Sequence, residues 1–104
     1  MYDPQPTFRA IADPTRRAIV SMLARSDMTI GEVADRFDMT RPAIAKHLGV
    51  LREGGLISVR VNGRERVHSL EPMALKPLEN WIGHFSHFWD EKLGDLKTAI
   101  EKPI

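Results

Sequence analysis

The apolar residues of this chain fall into several short helical stripes, then an alternating segment, then one long helical stripe. After a proline-bearing arm at residues 3–7, Phe8, Ile11 and Ala12 form the first stripe. Asp13-Pro14-Thr15 starts a new helix. An aspartate there can accept from the free amides of the first turn, and a proline at the first helical position gives up no hydrogen bond. That helix is predicted over about 14–25, with Ile19, Met22 and Leu23 on one face. Ser26-Asp27 interrupts it. Thr29 and, three residues on, Glu32 have the arrangement of a capping box, and Ile30, Val33, Ala34 and Phe37 follow at helical spacing, which predicts a short helix over 30–37. Asp38-Met39 leads tightly to Thr40, a further cap, with Pro42 close behind. Ile44, Leu48 and Leu51 then mark a helix that runs from 40 and stops at Gly54-Gly55.

The period then changes to two. Leu56 to Val61 has strand character, Asn62-Gly63 is a strong hairpin signal that calls for positive φ at both turn positions, and Arg64 to Leu70 alternates as the returning strand, ended at Pro72. Over 73–102, Leu78, Ile82, Phe85, Trp89, Leu93, Leu96 and Ile100 recur every three or four residues, and Trp81 and Phe88 widen the stripe. This predicts one continuous helix of about six turns. The expected fold is mostly α with a small β-hairpin: a winged helix-turn-helix with about five helices and a two-stranded wing, as a single domain over 1–104. Within it, 30–53 is the helix-turn-helix, 56–70 the wing and 73–102 the terminal helix.

Composition changes this picture little, but charge placement changes it a good deal. The 104 residues are 42% hydrophobic and 28% charged, an ordinary globular balance for one domain. With no cysteine, disulfides, thiol catalysis and thiolate metal sites are excluded, and the composition suits a reducing cytosol. The nearly apolar stretch Ala18 to Ala24 is too short to span a bilayer, and the N-terminus lacks the layout of a secretion signal, so no membrane partner and a cytoplasmic location are expected. Net charge is only +1. Residues 1–70, however, carry eleven Arg or Lys against eight Asp or Glu, and residues 71–104 carry four against six. The stretch 40–68 is the most basic, with Arg41, Lys46, Arg52, Arg60, Arg64 and Arg66 against Glu53 and Glu65. A basic middle beside an acidic end fits one face for an anion and another for a different partner.

Two helices joined by a tight turn, followed at once by a basic hairpin, are the parts of a reader of double-stranded DNA. Such a module lays its second helix in the major groove, while flanking groups hold phosphates. With Ile44, Leu48 and Leu51 turned to the core, Arg41, Pro42, Ala45, Lys46 and Gly49 are left outward. Arg41 suits guanine or phosphate, and the small Ala45 and Gly49 allow close approach. The base and groove contacts are assigned to Arg41, Pro42, Ala43, Ala45 and Lys46, and the phosphate contacts to Thr40, Arg64 and Arg66. Asn62 and Arg60 complete the wing. Arg16 in the first turn of its helix, where a cation needs an anion nearby, and His47 are further phosphate candidates. Arg52, near a helix C-terminus, has a sufficient electrostatic reason there without DNA.

A thirty-residue helix spans roughly 45 Å, longer than a domain of this size can cover. Part of its stripe therefore meets a second copy. The interface of that homodimer is assigned to Phe8, Ile11, Leu78, Trp81, Ile82, Phe85, Phe88, Trp89, Leu93 and Leu96. Two recognition helices would then reach successive major grooves of a pseudo-palindromic operator. His84 and His87, three residues apart on one helix face, leave open a metal-responsive alternative. A protein-interaction module that does not bind DNA is the other alternative, although it would be expected to show apolar anchors where this chain shows Arg41 and Lys46. No cofactor is expected. The serines have no identifiable His–carboxylate partners, and neither a phosphate-cradling glycine loop nor a paired-histidine metalloprotease string is present, so an enzyme is not expected.

The wording of these segments resembles the winged-helix repressors of the ArsR/SmtB family over nearly the whole chain. Phe8 to Arg16 is similar to that family's opening run, Thr40 to Leu48 with Val50 to Ile57 to its recognition helix and exit, and Gly63 to Val67 to its wing. The resemblance implies a homodimeric repressor that leaves DNA on receiving a signal, from a small molecule or a protein. The family's metal sensors carry cysteine on the helix before the recognition helix, where this chain has Thr29 to Asp35 without one. A second family site uses Asp and His early in the last helix and His and Glu later. Here His84, His87, Asp90 and Glu91 cluster late, with no Asp-x-His before them. The resemblance is closest to the Cys-free subgroup with a long aromatic C-terminal helix.

Overall fold

The structure is a computed structural model that describes residues 3–101. Met1, Tyr2 and residues 102–104, which the expected domain and terminal helix include, lie outside the described residues. The elements are α1 (Gln5–Ile11), α2 (Pro14–Arg25), β1 (Met28–Thr29), α3 (Ile30–Ala34), α4 (Arg41–Glu53), β2 (Ile57–Asn62), β3 (Glu65–Leu70), a 3₁₀ turn (Pro72–Leu75), α5 (Lys76–Gly83) and α6 (Ser86–Glu101).

The caps stand where the side chains put them. Asp13 accepts the Arg16 amide to start α2, Thr29 and Glu32 form a complete capping box on α3, and Thr40 accepts the Ala43 amide at the head of α4. Helix α1 begins at Gln5, earlier than the expected arm, since Pro6 falls in its first turn, where a missing N–H costs nothing. The helix predicted over 30–37 is α-helical only to Ala34; Arg36 and Phe37 continue it as 3₁₀ turns onto Val33 and Ala34.

The sheet has three strands rather than two, in the order β1-β3-β2, all antiparallel. Two residues are too few to show alternation, so β1 left no pattern to read. The hairpin turn also lies one residue further on than Asn62-Gly63. Asn62 pairs with Glu65, and Gly63 and Arg64 form the turn. Gly63 has φ 66°, whereas no residue other than glycine has positive φ among the described residues. One glycine at the first turn position supplies the single positive φ that a II′-type turn needs; an Asn-Gly turn would need two. This register sets Ile57 opposite Leu70, an apolar cross-strand pair.

Ile19, Val33, Ile44, Leu51 and Leu56 are the largest fully buried side chains and join α2, α3, α4 and the sheet into one core. Helix α1 is locked to the end of α4. The buried Thr7 hydroxyl donates to the Gly54 carbonyl at 2.8 Å, and a Cβ on Gly54 would stand 2.8 Å from the Pro6 carbonyl oxygen. Ile11, assigned to the dimer interface from sequence, is half-buried and packs against this core.

The expected single helix over 73–102 is broken. A 3₁₀ turn opens it, and Pro77 restarts it as α5. At His84 and Phe85 the ladder tightens: the Phe85 amide donates to Ile82 O at 3.0 Å, and the Ser86 hydroxyl donates to Gly83 O at 2.8 Å. Gly83, a poor helix former, and a serine competing for its carbonyl cause the break. The Trp89 amide then returns to Phe85 O at 2.9 Å, and α6 continues. No residue of α5 or α6 is buried. The molecule measures 67 × 37 × 20 Å with a radius of gyration of 18.5 Å, well above the roughly 13 Å of a compact chain this long.

Candidate nucleic-acid interface

Helix α4 buries Ile44, Leu48 and Leu51, which leaves Arg41, Pro42, Ala45, Lys46 and Gly49 exposed along the opposite side, with Thr40 exposed at its start. Ala43 is half-buried on the flank. Lys46 makes no side-chain hydrogen bond or ion pair among the described residues. The Arg41 guanidinium lies against the bare Cα of Gly31 on α3, where a Cβ would stand 2.8 Å from Nη2. It is supported from below yet open above.

Asn62, Arg64 and Arg66 are exposed in the wing, and no carboxylate pairs with either arginine among the described residues. The one-residue displacement of the turn puts Arg64 at the tip. Arg60 differs. Its Nη1 donates to Asp27 at 2.8 Å and to Ser69 Oγ at 2.9 Å, so its charge is spent tying β2 to β3 and to the loop before β1. The Arg60 hydrogen bond holds the Asp27 carboxyl below its ordinary pKa.

Arg16 is also engaged within the fold rather than turned outward. Its Nε donates to Ala10 O at 2.7 Å and its Nη2 to Arg9 O at 3.1 Å, and Nη1 lies 3.3 Å from His47 Nδ1. The negative partner it needs is the carbonyl end of α1. His47 is wedged between α4 and the start of α2, 3.8 Å from Asp13. The Arg16 backbone hydrogen bond, helped by charge on His47 and Arg16, lowers the Asp13 pKa.

A shallow cavity of about 230 Å³ lies between α4 and the sheet, floored by Leu48 and Val59 and edged by Arg52, Arg66 and His68. In the sequence Arg52 has a sufficient partner in the helix dipole. That it shares a cleft with a wing arginine depends on the hairpin's tertiary position and leaves no local mark. His68 is buried, its Nδ1 is 3.2 Å from Met28 O, and burial depresses its pKa.

On the far side, Trp81, Ile82, Phe85, Phe88, Trp89, Leu93 and Leu96 are all exposed, by between 43% and 60%. Leu78 is half-buried, and Phe8 meets Trp81 edge-on at 6.1 Å. Trp81, Ile82, Phe85, Phe88 and Trp89 line an apolar groove of about 360 Å³. His84 sits in the break and His87 in α6, both exposed. Among the described residues no three His, Asp or Glu side chains gather into a group that could hold a metal ion. None of the described helices is long and apolar enough to cross a membrane.

Comparison with known proteins places this arrangement. A family described as a helix-turn-helix domain matches residues 11–60, which run from the end of α1 into β2. The transcriptional repressor SdpR of Bacillus subtilis is 37% identical over 86 residues, covering 83% of this chain and 96% of that protein. The HTH-type transcriptional regulator Rv2034 of Mycobacterium tuberculosis is 38% identical over 98 residues, covering 94% and 89%. The crystal structure of the ArsR family transcriptional regulator RHA00566 superposes with a TM-score of 0.74 at 35% identity, covering 83% of this chain and 94% of that one. These relatives are named as regulators, not enzymes. In sequence, in fold and in the exposed basic face of α4 beside its wing, the chain belongs to the ArsR/SmtB family of winged-helix transcriptional regulators.

Proposed function

We infer that this protein is a homodimeric repressor that binds a pseudo-palindromic operator. The observation that carries this reading is the division of α4: three buried aliphatic residues on one side, and Arg41, Pro42, Ala45, Lys46 and Gly49 free on the other. Inserted in a major groove, Arg41 and Lys46 meet base edges or phosphates, and Ala45 and Gly49 let the helix axis come close. Thr40 and the amides at the head of α4 meet backbone phosphate, as do Arg64 and Arg66 from the wing. Ala43 supports the groove from the flank. Arg60 and Arg16, engaged within the fold, are withdrawn from the set of direct contacts.

The exposed stripe on α5 and α6, with Phe8, supports pairing with the same surface of a second copy, because a row of aromatic and aliphatic side chains this long is rare on a monomer. Pairing would set two α4 helices roughly 34–36 Å apart, one turn of duplex. The named repressors among the relatives support repression as the sense of regulation, and release by a small-molecule or protein inducer and action in the cytoplasm complete the reading. Selection of bound duplexes from a random pool at near-physiological salt tests the reading. An inverted repeat is the expected result. Failure to enrich any sequence, with the protein folded, overturns it.

A further inference from the structure

Arg16 and His47 are 31 positions apart in sequence and adjacent in space. The guanidinium of Arg16 is oriented by two carbonyls at the end of α1, Ala10 O and Arg9 O, and this aims Nη1 at His47 Nδ1, 3.3 Å away. A guanidinium can only donate, so Nδ1 accepts, and in a neutral imidazole the proton then sits on Nε2. Asp13 favours the opposite placement, a proton on Nδ1, but its carboxylate is 3.8 Å away and already accepts the Arg16 amide at 3.0 Å. Among the described residues Nε2 makes no hydrogen bond. The side chain is only 20% exposed, yet among the described residues no buried side-chain nitrogen is left without a partner. Nε2 therefore reaches solvent, on the flank of α4 one residue beyond Lys46.

We propose that Arg16 is a positioning residue that holds His47 in its Nε2–H form and presents that N–H to a phosphate of the duplex. This rests on the reading of α4 as the groove-entering helix. The arginine itself touches no DNA; it fixes the proton, and the histidine makes the contact. The arrangement accounts for a cation in the first turn of α2, and for a histidine ring held against α2 by Arg16 rather than free.

Two measurements on the full-length protein test it. Long-range nitrogen–proton correlation spectra of the free protein at about pH 8, above the ordinary imidazole range, should show His47 as the Nε2–H tautomer in the wild type and as a mixture in Arg16→Gln. Binding to the best selected duplex and to a random duplex should then be compared for His47→Gln and His47→Asn. Glutamine places an amide N–H near the former Nε2, and asparagine places its own near the former Nδ1. His47→Asn should weaken both duplexes about tenfold, the scale of a lost hydrogen bond to a charged group, and His47→Gln less than about threefold. An Nδ1–H tautomer in the wild type overturns the proposal, as does a folded His47→Asn that binds like the wild type. A wild-type protein that binds no duplex overturns the reading of α4, and this inference with it; normal wild-type binding with His47→Asn unaffected overturns this inference alone.

Discussion

Arg41 and Lys46 occupy the outward side of α4 on different terms. Arg41 has a platform: its guanidinium rests on Gly31 of the preceding helix, a surface that any side chain at 31 would occupy. A supported guanidinium gives up less freedom on meeting a base than a free lysine does. Arg41→Ala should therefore cost about 1–3 kcal/mol on the selected duplex and relax the preference at one base pair. Equal losses on selected and random duplexes would show that it reads phosphate only. Arg64, at the wing tip with no carboxylate partner among the described residues, should behave differently. Arg64→Ala should weaken all sequences alike and lower the slope of affinity against salt by about one, which titrations at several salt concentrations would reveal. At this scale the sequence was only partly legible. The amphipathic period of α4 identifies which side of it faces out, since that depends on residues three and four apart. The occupations of Arg16 and Arg60 depend on partners up to 31 and 33 residues away, and no local pattern separates them from Arg64.

The helices were readable because their starts are made by neighbours in sequence. Asp13, Thr29 and Thr40 each accept an amide three residues on, and each stands before a stripe that reaches the core. Thr40→Ala should lower stability by about 1 kcal/mol through loss of that cap, measurable by urea denaturation. The strands were readable as alternation, but not in register. Whether the turn is Asn62-Gly63 or Gly63-Arg64 is decided by the pairing of Ile57 with Leu70, which is a property of the folded sheet. Because Gly63 has φ 66°, Gly63→Ala should destabilise the domain by about 1 kcal/mol, while Asn62→Ala should have little effect on stability. His68, in the strand that β1 and β2 both join, gives this sheet a pH dependence. Its folded pKa lies below the ordinary 6.5, so between the two values the unfolded chain binds the extra proton. Stability is therefore full above about 6.5 and falls as pH drops through the window beneath it. Thermal midpoints measured from about pH 7.5 to pH 5 should decline, and His68→Gln should flatten that decline.

The whole molecule is a compact head with a long exposed arm, and its length of 67 Å is set by α5 and α6. The sequence revealed the arm's apolar stripe and its excess length. It did not reveal the break at His84, because the stripe keeps its period through Gly83 to Ser86 while the hydrogen bonds do not. Phe88→Lys together with Leu93→Lys should yield a monomer in sedimentation and reduce affinity for an inverted repeat to that for a single half-site; a dimer that persists would place the pairing surface elsewhere. The close seating of α1 on Gly54, with Phe8 reaching Trp81 on its other side, has a geometric consequence. If the arm pairs two copies as proposed, α1 is a shim between the head and that arm. Its thickness helps set how far apart, and at what twist, two heads stand when paired. A methyl group added at 54 would thicken the shim without touching a single DNA contact. The paired molecule would then favour half-sites spaced out of phase with those of its parent.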